Sequence, residues 1–237
     1  MMFDAPLIEG TLRRRYKRFL ADVRLHSGEV VTAHCPNTGS LLGCAEPGST
    51  VWLSCSSKPG RKYPYTWEMV QVEGSVTVGI NTGLSNRLVR EALESGVIAE
   101  LGGYPSIRGE VRFGEENSRV DLLLQDGDEK PACYLEVKNV TAAVDGGIAL
   151  FPDAVSARGT RHLRELMRVV ASSARAALCF CVQRGDVKEV RPADEIDPEY
   201  GRALRQAIAC GVEVLAYRAW VTPEGIRLEK RVPVTCP

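Results

Sequence analysis

Residues 119–138 read RVDLLLQDGDEKPACYLEVK, from Arg119 to Lys138. Arg119–Gln125 has the apolar content of a strand, Asp126–Pro131 is a polar turn, and Ala132–Val140 continues as a second strand. Asp-Gly between two apolar runs is the strongest short-range hairpin signal. A turn symmetric about Asp128 and Glu129 sets Asp121 across from Glu136. Side chains alternate along a strand. Val120, Leu122 and Leu124 then share an apolar face with Cys133, Leu135 and Val137, and the other face carries Asp121, Glu136 and Lys138.

That pairing has an electrostatic cost. Carboxylates directly opposite one another have Cβ atoms about 4.5–5.5 Å apart and repel. A fold tolerates them when a cation lies between, or when one carboxyl holds a proton. Hard divalent cations such as Mg²⁺ take carboxylate and carbonyl oxygens. Lys138 lies two residues beyond Glu136, about 7 Å along the same face. A lysine beside a metal-bound water helps to orient or deprotonate it for attack on a phosphodiester. Asp, a spacer and then Glu-x-Lys resembles the PD-(D/E)xK nuclease-like fold. Glu-x-Lys alone is common and marks a solvated strand face; the Asp121 hairpin with its apolar back lifts it above that.

Around this hairpin the chain is ordinary in composition. Its 237 residues are 44% hydrophobic and 25% charged with zero formal net charge, so no global charge announces a nucleic-acid partner. No apolar stretch approaches the roughly 18 residues of a membrane span, and MMFDAPLIEG lacks the pattern of a signal peptide, which predicts a cytoplasmic protein. The eight cysteines form no CxxC pair and read as reduced, mostly buried thiols rather than zinc ligands.

Upstream, to about Asn81, the pattern is all-β. Strands are predicted at Leu12–Leu25, Glu29–Cys35, Thr50–Ser54, Tyr63–Val72 and Ser75–Ile80, separated by Gly/Pro turns. Five short strands in this length fit an OB-like barrel. Two features suggest polyanion binding: the basic run Arg13, Arg14, Arg15, Lys17 and Arg18, and the stripe Tyr63, Tyr65 and Trp67 behind Lys58, Arg61 and Lys62. A barrel core explains the aromatic stripe better, and a solvated strand end competes for the basic run. The loop from Cys35 to Ser40 offers backbone N–H groups to a phosphate but reads first as a connecting turn.

From residue 82 onward the pattern is α/β with a mixed sheet. Ser85 is predicted to cap a helix running to Glu94 and stopped by Gly96; Glu110–Phe113 is a short strand, and Gly114–Ser118 a polar turn. Asp145–Gly159 reads as a long loop. Thr160 opens an amphipathic helix with Leu163, Leu166, Met167 and Val170 on one face and Arg161, Arg164, Arg168 and Arg175 spaced along the other. Ala176–Val182 is a buried strand, Asp197-Pro198 starts a helix ending at Gly211, and strands follow at Val212–Tyr217 and Val232–Val234.

The stretches HCPNTGSL, NSRVDLLL, CYLEVKNVT, FPDAVSARGTRHLREL and EVLAYRA resemble the sugar fermentation stimulation protein family of bacteria and archaea, over nearly the whole chain. The resemblance implies an N-terminal OB-like domain (1–81) followed by a PD-(D/E)xK nuclease-like domain (82–237). It implies DNA binding, single- or double-stranded, without sequence preference, and a regulatory role in sugar (maltose) metabolism. It places the nuclease-like motif on Asp121, Glu136 and Lys138, with Glu91, Glu94 or, preferably, Glu110 as a further acid. The motif's leading Pro is missing, since Arg119-Val120 precede Asp121. A second function stands beside DNA binding: an Mg²⁺- or Mn²⁺-dependent nuclease, with Asp121, Glu136, Glu110 and the Val137 carbonyl near the metal and Lys138 activating water.

Overall fold

The computed structural model describes residues 1–72, 74–114, 118–127 and 129–237. Its first part is a barrel of β1 (Ile8–Tyr16), β2 (Leu20–Leu25), β3 (Val30–His34), β4 (Thr50–Cys55) and β5 (Tyr65–Val72). The strands run in the order β3-β2-β1-β4-β5, and a parallel contact of β3 with β5 closes the ring and covers its edges. β6 (Val76–Gly79) adds to β5 outside the ring. The long strand expected over Leu12–Leu25 is two strands. Lys17 and Arg18, at φ 48° and 64°, reverse the chain between them. The loop is three residues, 17–19, between the paired Tyr16 and Leu20, and its positive φ values fall on residues other than the usual Gly or Asn. Leu12, Val23, Leu53, Trp67 and Val70 fill the barrel. Trp67 is fully buried and its Nε1 donates to the Met69 carbonyl at 2.7 Å, so the aromatic stripe is core at that position.

Asn81 caps a short 3₁₀ turn, accepting from the Gly83 N–H, and α1 (Ser85–Glu94) follows. Ser85 is therefore inside the helix rather than its cap; its hydroxyl donates to Asn139 Oδ1 at 3.0 Å. Gly96, at φ 76°, stops the helix as expected. Next come β7 (Ser106–Phe113), β8 (Ser118–Gln125), β9 (Cys133–Val140), β10 (Ala143–Val144), β11 (Ile148–Phe151), α2 (Ala157–Ala171), β12 (Arg175–Val182), β13 (Glu189–Pro192), α3 (Pro198–Ala209), β14 (Glu213–Thr222) and β15 (Gly225–Arg231).

The main sheet has the order β15-β14-β12-β9-β8-β7. It is mixed: β12 runs parallel to β9 and β14, and the outer pairs are antiparallel. β12 reads as a continuous apolar run because both its faces are covered. α1 packs with Leu122, Leu124, Leu135 and Cys179 on one face; α2 and α3 pack with Leu123, Val140 and Phe180 on the other. Asp197 caps α3, accepting from the Tyr200 N–H at 3.0 Å. β10, β11 and β13 form a small second sheet, so the stretch expected as a loop after Asp145 contains a strand. The last strand is β15, not Val232–Val234; Val234 makes only an isolated bridge to Val190. No helix among the described residues is long and apolar enough to cross a membrane.

The barrel is fastened to the second part at several points. Met2 bridges Gly225, and the Phe3 N–H donates to the Glu224 carbonyl at 3.0 Å. The Gly79 N–H donates to the Gln183 carbonyl at 2.8 Å. The Asp153 carboxylate accepts from the Leu41 N–H at 3.1 Å and lies so near Gly39 that a Cβ there would sit 2.5 Å from its oxygens.

Candidate functional site

The hairpin register follows the symmetric turn. Leu122 pairs with Leu135, Leu123 with Tyr134 and Leu124 with Cys133. Asp128, half of the centre of that symmetry, lies outside the described residues, as do residues 115–117 of the preceding turn. The ladder ends before Asp121. The Asp121 carboxylate accepts the Val137 N–H at Oδ2 (2.7 Å) and the Asn86 side chain at Oδ1 (3.0 Å). The side chain thus takes a donor that strand pairing would have used. Alternation also breaks here. Leu122 and Leu124 pack with α1, but Val120 packs with α2, so the predicted apolar face does not include Val120. The neighbouring strand breaks at the same level: Gly109–Leu122 and Val111–Val120 pair, while Glu110 between them has φ 54°.

Glu136 is 2% exposed. Its Oε1 accepts from Lys138 Nζ at 2.5 Å and from His162 Nδ1 on α2. Its Oε2 is buried without a partner among the described residues. Arg158 Nε donates to His162 Nε2 at 3.3 Å, so the ring proton sits on Nδ1 and points at Glu136. Burial alone would raise the Glu136 pKa, but the His162 hydrogen bond and the Lys138 charge outweigh it and hold the carboxyl below its ordinary value. Asp121 goes the other way. Burial, and then the negative charge of Glu136, push it up to about 6, against the Val137, Asn86 and Lys138 contacts. The Glu136 charge is thus one cause of the Asp121 shift, while the ladder that would set the two acids opposite one another stops at Leu122–Leu135.

Glu110 is exposed and lines a recess of about 300 Å³ with Arg112, Ser118, Arg119, Arg158, Arg161 and His162. Among the described residues no three His, Cys, Asp or Glu side chains converge as a metal cage, so Glu110 is not gathered with Asp121 and Glu136. Glu91 is engaged by the Met1 amino group (2.7 Å) and Arg87 (2.9 Å), and Glu94 faces Arg90 at 3.9 Å.

Residues 14–80 match the family model described as the SfsA N-terminal OB domain, and residues 83–225 that of the sugar fermentation stimulation protein RE domain. The chain belongs to the sugar fermentation stimulation protein family. The homolog from Thioalkalivibrio sulfidiphilus is 63% identical over 234 residues, covering 99% of this chain and 98% of its own length. That from Alkalilimnicola ehrlichii is 59% identical over 238 residues, covering both chains completely. The solved structure of Pyrococcus furiosus SfsA in complex with Ca²⁺ superposes with a TM-score of 0.88 at 28% identity, over 99% of this chain and 98% of that one. The fold is therefore an OB barrel followed by a restriction-endonuclease-like domain with a mixed sheet.

In this member of the family the predicted basic run is divided. Arg13 is exposed. Arg14 pairs with Asp22 at 2.8 Å and covers the Tyr16 ring. Arg15 points inward, its guanidinium donating to the carbonyls of Arg18, Asn37, Gly39 and Ser40. These bonds tie Arg15 to the 35–40 loop, whose Asn37, Thr38 and Gly39 line a recess. Lys17 and Arg18 form the β1–β2 turn, and Arg18 also lines a recess of about 260 Å³ between barrel and nuclease-like domain. Lys62 lies over the Tyr63 ring at 5.5 Å. On α2, Arg161 lines the arginine recess and Arg164 is exposed. Arg175 leaves the predicted helical stripe, because α2 ends at Ala171; it opens β12 and binds Glu213 at 2.7 Å. Sequence reasoning missed His162 and Asn86. His162 was within reach, since it lies four residues before Leu166 and so on the buried face of α2.

Proposed function

We propose that this protein binds nucleic acid, single- or double-stranded DNA, by its phosphate backbone and without base readout, along the face that holds the arginine recess and the Asp121–Glu136–Lys138 group. The observation that carries this is the convergence of Arg112, Arg119, Arg158 and Arg161 beside the buried Glu136–His162 pair, in a chain of zero net charge. Phosphate contacts position a strand and carry no sequence information. A regulatory role in sugar (maltose) metabolism would follow from such binding, and a DNA partner places the protein in the cytoplasm. Fluorescence anisotropy with unrelated DNA sequences across a salt series tests this. Log affinity should fall linearly with log salt and depend little on sequence; affinity that stays flat with salt would sink the proposal.

A second reading, a metal-dependent nuclease, is favoured by the unpartnered Glu136 Oε2. A buried carboxylate oxygen with nothing to accept among the described residues, beside a second carboxyl that burial has pushed up to about 6, suits a divalent cation. The Ca²⁺ complex of the Pyrococcus furiosus relative supports the same reading. Asp121, Glu136 and the Val137 carbonyl would hold Mg²⁺ or Mn²⁺, which when bound lowers the pKa of its water and offsets charge on the phosphate. The chain's own groups do the positioning. His162 fixes the Glu136 carboxylate, and Lys138 keeps an ammonium group against it. Under this reading Lys138→Ala abolishes Mg²⁺- or Mn²⁺-dependent cleavage of labelled DNA while binding persists; equal cleavage by the variant would trace the activity to a contaminant.

A further inference from the structure

The geometry points to the arginine recess as a seat for a terminal phosphate monoester, so that the protein engages strand ends in preference to strand interiors. This inference rests on the nucleic-acid reading above. Arg112 and Arg119 are direct cross-strand partners in the β7–β8 ladder. Arg158 and Arg161 are three residues apart on α2. Like charges opposite on a sheet or one turn apart on a helix destabilise the fold that holds them. Both pairs line one recess of about 300 Å³, where Glu110 is the only carboxylate among the described lining residues. None of the four arginines makes an ion pair among the described residues. Among the described residues, two repulsive pairs thus face one recess with a single lining carboxylate.

A second observation points to the same ligand. Ser118 is 4% exposed and lines the recess, and among the described residues its hydroxyl has no partner; the Arg161 Nε is likewise buried and unpartnered among them. Buried polar atoms are nearly always satisfied. The donors that remain are guanidinium N–H groups and a hydroxyl, which suits a compact oxyanion with several acceptor oxygens. A backbone phosphodiester carries a single charge, whereas a monoester carries about −1.5 to −2 at neutral pH and a third free oxygen. Among the described lining residues, four guanidinium groups against one carboxylate match the monoester better.

The test uses the full chain in EDTA with internally labelled single strands: one with a 5′-phosphate, one with a 3′-phosphate, one with hydroxyl at both ends, and a covalently closed circle. One phosphate-ended strand should bind about tenfold tighter than the hydroxyl-ended strand and the circle. Inorganic phosphate should compete that preference away. Arg119→Ala and Ser118→Ala should each remove the difference between ends. Arg119→Ala should melt no lower than the parent, because it relieves the repulsion with Arg112, so loss of folding cannot imitate loss of the seat. Equal affinity for all four strands would overturn the terminal-phosphate seat and leave the nucleic-acid reading standing. Binding of inorganic phosphate with no strand bound would overturn both, and make the recess a small-phosphate site.

Discussion

Replacing Asp121 by Asn should stabilise the metal-free protein at alkaline pH, although it removes a side chain with two hydrogen bonds. A carboxyl whose pKa is raised from 3.8 to about 6 holds its proton more tightly in the folded chain. At 1.36 kcal/mol per pH unit, that amounts to about 3 kcal/mol. The sign follows from the direction. The folded pKa lies above the unfolded one, so the contribution is fully present below about pH 4 and is lost as pH rises through about 6. At pH 8 the wild-type chain carries the whole cost of ionising Asp121 beside Glu136. Asn keeps an acceptor for the Val137 N–H, now uncharged, so the net gain is about 1–3 kcal/mol. For a chain of this length that is about 2–12 °C in melting temperature. Melting followed by circular dichroism in EDTA should place Asp121→Asn above wild type at pH 8 and level with it at pH 4. Adding Ca²⁺ or Mg²⁺ should raise the wild type and not the variant, by about 2.7 kcal/mol at a hundred times the dissociation constant. If the variant melts below wild type at pH 8 without metal, the Asp121 carboxylate is a net stabilising group and the opposed-acid argument fails.

Two further changes test the scaffold. Arg15→Ala strips the loop at 35–40 of a guanidinium that four carbonyls share; it should cost about 1.5–3 kcal/mol in urea denaturation, and an unchanged midpoint would show the loop holds itself. Asp197→Ala removes the α3 cap and the acceptor of the Ser156 N–H, the latter at 2.7 Å; about 2–4 kcal/mol should be lost, measured the same way, whereas a loss below 0.5 kcal/mol would mean water replaces both bonds.

Much of the fold was legible because its signals are local. Asp-Gly set the hairpin register, Asp197-Pro198 the start of α3, and the run ALCFCV the buried centre of the sheet. What was hidden depends on groups distant in sequence or on unusual backbone. Lys17 and Arg18 reverse the chain with no Gly or Asn to announce it. The kink at Asp121 comes from a side chain capturing a backbone N–H on the next strand, which alternation cannot encode. Arg15 looks like its basic neighbours in sequence, yet it alone folds inward onto carbonyls. In the candidate site, Asp121, Glu136 and Lys138 were readable from spacing. The arginines at 112, 119 and 158 were not singled out, because only the packing of α2 against the end of the β7–β8 hairpin brings them together, whereas His162 was passed over although helical spacing puts it on the buried face.

The barrel leaves and re-enters the nuclease-like domain through attachments at both of its ends: Met2 and Phe3 on the β14–β15 turn, and Gly79 on Gln183. A third hold lies at the recess itself, where the Asp153 carboxylate accepts from the Leu41 N–H at 3.1 Å and crowds Gly39. A body held at one point swivels and a body held at two turns about a line, whereas a further hold at the mouth of the recess opposes that turn as well. The recess beside Arg18 and Asp153 is therefore a cleft of set width, and a strand lying across both domains would meet a surface already in place.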